Sequence, residues 1–209
     1  MKKIVVMGTH GVGKTTLAHQ ICVTLKERNL NATIIEEKVR SCPFPINEKS
    51  TIDTEMWMIH TQIKAELHAK AELYEVAVVD RCTLDAIVYW EDLNKPKDSY
   101  FELLKASALH WVQNYDLIVL VEPSSDTASF AVDAVRDSGI EYRNRIRDAF
   151  RAKINTLPDH IHDKVLKVES DEVFGREGHY SPAINKVLKH AQYPASEFNP
   201  LFLETPASH

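Results

Sequence analysis

Nine consecutive residues near the start of the chain, Gly8-Thr9-His10-Gly11-Val12-Gly13-Lys14-Thr15-Thr16, carry the most specific chemistry in the sequence. The first eight fit G-x-x-x-x-G-K-[ST] without a mismatch, between an apolar run and a helical pattern, which is the context the motif requires. Successive backbone N–H groups of Gly8, His10, Gly11, Val12 and Gly13, with the positive end of the following helix, make a nest for a polyphosphate. Glycine lets the backbone curl round the oxygens, and half of the chain's six glycines fall here. Lys14 is expected to reach the β- and γ-phosphates as a point charge, Thr15 to ligate Mg²⁺, and Thr16 to donate to the α-phosphate. The pattern predicts binding of a nucleoside triphosphate with magnesium.

Four other groups of residues could act on that triphosphate. Asp80-Arg81 closes an apolar run, and an aspartate there can hold magnesium's water shell while the arginine faces an acceptor. The ordinary alternative is a helix N-cap with a solvated neighbour. Glu36-Glu37-Lys38-Val39-Arg40 follows another apolar run, so a carboxylate could take the proton of an attacking hydroxyl, or the stretch could be a charged loop. Trp57, Gln62 and Glu66 share a helical pattern and are candidates for an acceptor pocket. A glutamine offers donor and acceptor together to a planar heterocycle, and Trp57 either stacks on it or packs in the core. Finally, Arg136, Arg143, Arg145, Arg147 and Arg151 are five of nine arginines, within sixteen residues. A lid bearing them can neutralise the charge spread over a transferring phosphoryl group. A solvated helix face paired with Asp137, Glu141 and Asp148 is the alternative. Arg143 and Arg145 are the first choice for the lid, with Arg136 in reserve.

The elements that must position these residues alternate. Strands are expected at Lys3–Met7, Ala32–Ile35, Val76–Asp80, Asp116–Val121 and Val165–Val168. Helices are expected over Lys14–Arg28, Asp53–Leu73 with Ser50 or Thr51 as its cap, Thr83–Trp90 and Asp98–Gln113. A further helix ends near Ile154, and a short one runs from Pro182 to His190. Two prolines make 41–47 a loop, and Asn94-Lys95-Pro96 splits two helices. Strands that are apolar throughout, separated by helices, imply a parallel sheet covered on both faces. The chain reads as a single α/β domain.

Composition removes other classes. At 209 residues and 44% apolar the chain has material for a full core, and no run reaches the ~18 apolar residues of a membrane span. A net charge of −5 argues against coating by nucleic acid, and three cysteines without paired spacing argue against disulfides and zinc. His160-Ile161-His162-Asp163 reads as a surface turn and Cys82 as an accessible thiol. A GTPase would carry Asn-Lys-x-Asp after a strand, whereas Asn94-Lys95-Pro96-Lys97-Asp98 has the wrong spacing and follows a helix. A motor ATPase would carry consecutive acids closing a strand and an attached second domain.

On Gly8–Thr16, Glu37-Lys38-Val39-Arg40, Gln62–Glu66, Asp80-Arg81 with Asp85 and Tyr89, and Tyr115-Asp116, the chain resembles the P-loop nucleoside and nucleotide kinase superfamily. The resemblance is to its compact AAA-type group, related to the ribosylnicotinamide-kinase domain. It implies a three-layer P-loop sandwich with a five-stranded parallel sheet ordered 2-3-1-4-5, helices on both faces and an arginine-bearing lid. Residues 1–175 form the kinase-like domain with the lid at about 124–147, and 176–209 a helix and irregular tail packed on it. It implies transfer of the γ-phosphate of ATP, with Mg²⁺, to a nucleoside or nucleoside monophosphate. Glu37 is then the base, Asp80 and Arg81 serve magnesium and acceptor, and Gln62 reads the acceptor's base. Arg40 or Arg81 would clamp a monophosphate. A cytoplasmic location, no membrane, a small-molecule acceptor and an open choice between monomer and homodimer complete the expectation. The alternatives are a kinase acting on a modified base or an end in DNA or RNA, and a non-catalytic ATP-dependent binding module.

Overall fold

The computed structural model describes residues 1–124, 140–174 and 181–193. Five strands form one parallel sheet: β1 (Lys2–Met7), β2 (Ala32–Ile35), β3 (Val76–Asp80), β4 (Leu117–Glu122) and β5 (Val165–Glu169). Their spatial order is β2-β3-β1-β4-β5, as the resemblance implied. The helices are α1 (Lys14–Glu27), α2 (Ile52–Ala71), α3 (Thr83–Asp92), α4 (Ser99–Val112), α5 (Ile140–Asn155), α6 (Asp159–His162), α7 (Ser170–Phe174) and α8 (Pro182–His190). Arg136 and most of the anticipated lid lie outside the described residues, as does the tail beyond 193.

Every residue of β3 is buried, and β1 and β4 are buried at all but one position each. Such strands need cover on both faces, and they have it. Ile4 and Val6 of β1 pack with Leu17 and Ile21 of α1 and with Ile184 and Val187 of α8. Val5 and Met7, pointing the opposite way, pack with Leu84 and Val88 of α3 and with Ile146 and Phe150 of α5. A third cluster, including Ile59, Ile87 and Phe101, binds α2, α3 and α4 to one another.

Local chemistry sets the helix limits. Thr51 begins α2 through a capping box with Thr54, whose hydroxyl accepts from the Thr51 N–H at 3.0 Å. The carboxylate of Asp98 accepts from the Phe101 N–H at 2.9 Å and starts α4. Asn94, at φ 49°, turns the chain between α3 and α4, where the break was expected. The strands and longer helices of the sequence reading are present within a few residues. The short α6 and α7 were not anticipated, because one turn carries no periodicity. Among the described residues no helix is long and apolar enough to cross a membrane. Cys82, anticipated as accessible, is buried at the start of α3, and burial pushes its thiol well up.

Beneath the sheet-facing side of α2 the carboxylate of Glu66 is completely buried. It receives Lys3 Nζ at 2.8 Å, Gln62 Nε2 at 3.0 Å, Trp111 Nε1 at 2.8 Å and Tyr115 Oη at 3.1 Å. Four donors from β1, α2, α4 and the turn before β4 satisfy a charge that would otherwise be untenable there. Removing it strands the Lys3 ammonium in the core. Glu66→Ala should therefore lose about 3–5 kcal/mol of unfolding free energy in urea titration. A loss under about 1 kcal/mol would contradict this account of the hub.

Candidate active site

The first strand ends at Met7, and the loop that follows is held open by backbone angles. Gly8 has φ 138° and Gly13 φ 87°. A Cβ on Gly8 would lie 2.3 Å from the Val121 carbonyl oxygen, and one on Gly13 would lie 2.8 Å from Phe174 Cζ. Close packing against the β4 backbone requires glycine at position 8, and the left-handed backbone at position 13, beside Phe174, favours it there. Lys14 is buried and its ammonium donates to the Thr9 carbonyl oxygen at 2.5 Å, arching over the loop. Val12 is fully buried beneath, while the Thr15 and Thr16 side chains face outward at the first turn of α1.

The sheet register brings β3 to the loop. Val6 pairs with Val79's neighbour Asp80, and the Arg81 N–H donates to the Val6 carbonyl oxygen at 2.9 Å. The Thr15 hydroxyl consequently donates to Asp80 Oδ2 at 2.6 Å. Asp80 Oδ1 is buried and receives no hydrogen bond among the described residues. A hydroxyl and a carboxylate so placed, with one oxygen unserved, suit a hard divalent cation that takes oxygen ligands and keeps several waters.

Arg81 has φ 75°, in the left-handed region, and its side chain is buried. Its Nε stands 2.5 Å from Glu37 Oε1, and its Nη1 3.6 Å from Asp85 Oδ1. The guanidinium also lies 5.8 Å from the centroid of the Tyr89 ring. Burial opposes its charge, but Tyr89, Glu37 and Asp85 together hold it above its ordinary value. Asp85 is pushed up by burial and pulled back by Arg81, and its Oδ2 accepts from the Cys82 N–H at 2.9 Å. Of the two glutamates after β2, Glu36 is exposed and Glu37 half-buried.

These groups open onto one cavity between the loop, α2 and α3. His10, Glu37, Asp80, Arg81, Asp85 and Tyr89 line it, together with Thr54, Glu55, Met58, Ile59 and Gln62 of α2. Tyr142 of α5 closes its edge, its ring stacked on His10 at 5.4 Å. Other anticipated residues lie elsewhere. Glu66 sits below the cavity inside its shell of donors. Trp57 is half-buried more than about 100° round α2 from the cavity face. Arg40 is exposed in the 3₁₀ turn Val39–Ser41, outside the lining.

The arginines divide by partner. Arg143 lies against the loop, its Nη2 3.8 Å from where a Cβ on Gly11 would be, and its carbonyl oxygen accepts from the Thr9 hydroxyl at 3.3 Å. Arg145 instead forks onto Asp92 with contacts of 3.0 and 3.1 Å. Arg147 pairs with Asp148, and Arg151 holds Glu122 at 2.6 and 2.9 Å.

Glu55 was missed by the sequence reading, although it lies seven residues before Gln62 and so on the same helix face. It is buried, and burial pushes its carboxyl to about 7, with the Ser50 hydroxyl and Lys95 pulling part of the way back. An unfolded glutamate titrates near its ordinary 4.5. Glu55 thus takes up its proton more readily in the folded chain. Its contribution to stability is fully present below the unfolded value and is lost as pH rises through about 7. Between pH 5 and 8 the parent chain should lose up to about 3 kcal/mol more unfolding free energy than Glu55→Gln. Urea titrations of both at the two pH values check this, and parallel pH dependences would contradict it.

No curated protein matches the chain. Among solved structures it is similar to NadR protein in complex with NR, at TM-score 0.69 and 23% identity, covering 91% of this chain and 52% of that one. NadR protein in complex with NAD and AMP-PNP gives 0.68 and 20%, covering 95% of this chain and 51% of the other. Deoxyadenosine kinase from M. mycoides with bound dATP gives 0.58 and 19%, covering 81% and 91%. The chain therefore spans about half the length of the NadR chains it matches, and at these identities the likeness shows the fold. The family model described as an AAA domain matches residues 3–165, from β1 to the first residue of β5. With the phosphate-binding loop, Glu37, Asp80 and Arg81 all inside that match, the chain belongs to the AAA domain family.

Proposed function

We propose that the chain is a P-loop kinase that transfers the γ-phosphate of ATP, with Mg²⁺, to a hydroxyl of a nucleoside. The observation that carries this reading is the placement of Glu37, ion-paired to Arg81, on the same cavity as Asp80 and directly beside the loop. A binding module that only held nucleotide would need the loop, but not a carboxylate fronting a second, partly apolar cavity. Structural similarity to a deoxyadenosine kinase supports the same reading.

In this account the loop N–H groups and Lys14 hold the triphosphate, with Lys14 exchanging the Thr9 carbonyl for phosphate oxygens. Thr15 and Asp80 would hold magnesium, which when bound neutralises charge on the β- and γ-oxygens. Arg81, ion-paired to Glu37, orients its carboxylate on the cavity. The acceptor's hydroxyl proton passes to the Glu37 carboxylate as its oxygen bonds to the γ-phosphorus. The bond from that phosphorus to the bridging oxygen breaks, and ADP leaves with the electron pair. Arg143, against the loop, is assigned to the charge developing on the transferred group.

A hydroxyl acceptor is favoured over a monophosphate. Arg40 stands outside the cavity, and Arg81 is already committed to Glu37 and Asp85. Lys38 is the lining cation that remains, and a second phosphate beside it would also meet the Glu37 and Asp85 carboxylates.

ADP release with ATP and Mg²⁺ across ribo- and deoxynucleosides, their monophosphates and short oligonucleotides tests the reading. Stimulation by a nucleoside, absent in Lys14→Ala, is the expected result. A flat panel despite ATP binding would overturn it. With the best acceptor, Glu37→Gln should lower kcat by about 10²–10⁴ while changing KM little. A fall under about threefold would remove Glu37 as the base.

A further inference from the structure

The wall that α2 presents to the cavity accepts hydrogen bonds and has almost none to give. Its polar residues there are Thr54, Glu55 and Gln62. The Thr54 hydroxyl is spent, donating to the Pro45 carbonyl oxygen at 2.8 Å and accepting from the Thr51 N–H at 3.0 Å. Gln62 turns its amide nitrogen to Glu66 at 3.0 Å. The fully buried Glu66 can only accept from it, so the orientation of the amide is fixed and its carbonyl oxygen is left on the cavity side. Among the described residues nothing donates to that oxygen. Glu55, two turns earlier on the same face, adds a carboxylate that is only 5% exposed. The Ser50 hydroxyl, on the same cavity, and the Lys95 ammonium both act on Glu55, but the ammonium donates to the Glu48 carbonyl oxygen at 2.9 Å and makes no ion pair with Glu55. Met58 and Ile59 beside them are apolar.

A buried carboxylate without an ion-pair partner weakens the fold when ionised, as its raised titration shows. A group of that kind, set in a cavity, is a candidate for ligand recognition. The matching ligand edge is one that donates.

We propose that Glu55, with the Gln62 carbonyl held in place by Glu66, selects acceptors whose base carries an amino or carboxamide N–H₂ group over counterparts bearing oxygen at that position. This rests on the kinase reading for its acceptor, and it names the class of that acceptor. Glu55 is a specificity residue: it touches the base and takes no part in the transfer. Its replacement should change the ranking of acceptors without a uniform loss of rate. A base presenting only a carbonyl would set its oxygen against the carboxylate and leave both unpaired.

Matched pairs test this in the intact chain at pH 8: adenosine against inosine, cytidine against uridine, and nicotinamide riboside against nicotinic acid riboside. Each is measured by calorimetric binding without ATP and by kcat/KM with ATP and Mg²⁺, for the parent chain and for Glu55→Gln. The parent should favour the N–H₂ member of its preferred pair by tenfold or more in both readouts. In Glu55→Gln, whose amide can donate as well as accept, the ratio should fall to within about threefold, with the change in KM rather than kcat. Transfer to nucleosides with no preference for the N–H₂ member would overturn the proposal while leaving the kinase reading intact. So would a preference that Glu55→Gln leaves unchanged. Selective binding lost in Glu55→Gln, but without transfer to any acceptor, would support the proposal and overturn the kinase reading. Failure of every nucleoside to bind would overturn both.

Discussion

Arg81 is the constraint on which the site depends. Its backbone is held at φ 75°, a conformation that costs an L-residue about 1–2 kcal/mol, and the register of the sheet compels it. Having paired along β1, the chain donates the Arg81 N–H to Val6 and must then turn sharply into α3. The turn points the guanidinium back across the strand ends, where Glu37, Asp85 and Tyr89 surround it. One buried cation thereby ties together the ends of β2 and β3 and the first turns of α3. It also leaves Asp80, one residue earlier, against Thr15 at the loop. Strain of this kind persists where surrounding structure over-determines it, and such places cluster at functional sites.

Two glutamates on α2 show how burial separates structure from function. Glu66 is enclosed by four donors, and its charge fastens β1, α2, α4 and the turn before β4 around a common point. Glu55 is nearly as buried but opens to the cavity and lacks an ion-pair partner. The first charge is compensated internally and belongs to the fold. Ser50 and Lys95 compensate the second only in part, and the remainder has to come from whatever enters the cavity. Gln62 links the two, since its amide nitrogen answers Glu66 and its carbonyl faces the same space as Glu55. The core thus sets the hydrogen-bonding character of the cavity wall.

Features governed by local chemistry were legible in the sequence. The loop motif, the five strands and the strand-end placement of Asp80-Arg81 follow from short patterns, and the resemblance supplied the strand order. Features governed by tertiary docking were not legible. Glu55 and Glu66 fall on nearly the same face of α2, so periodicity cannot tell which meets the cavity and which meets Lys3 and Trp111. That depends on how far β1 and α4 reach beneath the helix. Trp57 is the reverse case, because its helical angle already sets it apart from Gln62. Among the arginines, the docking of α5 decides that Arg143 meets the loop while Arg145 turns to Asp92. Spacing alone gave the two equal claim.

The most direct test of the account is a crystal structure with Mg²⁺, a non-hydrolysable ATP analogue and the best nucleoside acceptor. The account predicts the triphosphate in the Gly8–Thr16 loop, with the Lys14 ammonium moved from the Thr9 carbonyl onto phosphate oxygens. It also predicts the acceptor's hydroxyl within about 2.6–3.2 Å of a Glu37 carboxylate oxygen, facing the γ-phosphorus. An acceptor whose hydroxyl lies away from Glu37, or a γ-phosphate directed out of the cavity, would contradict it.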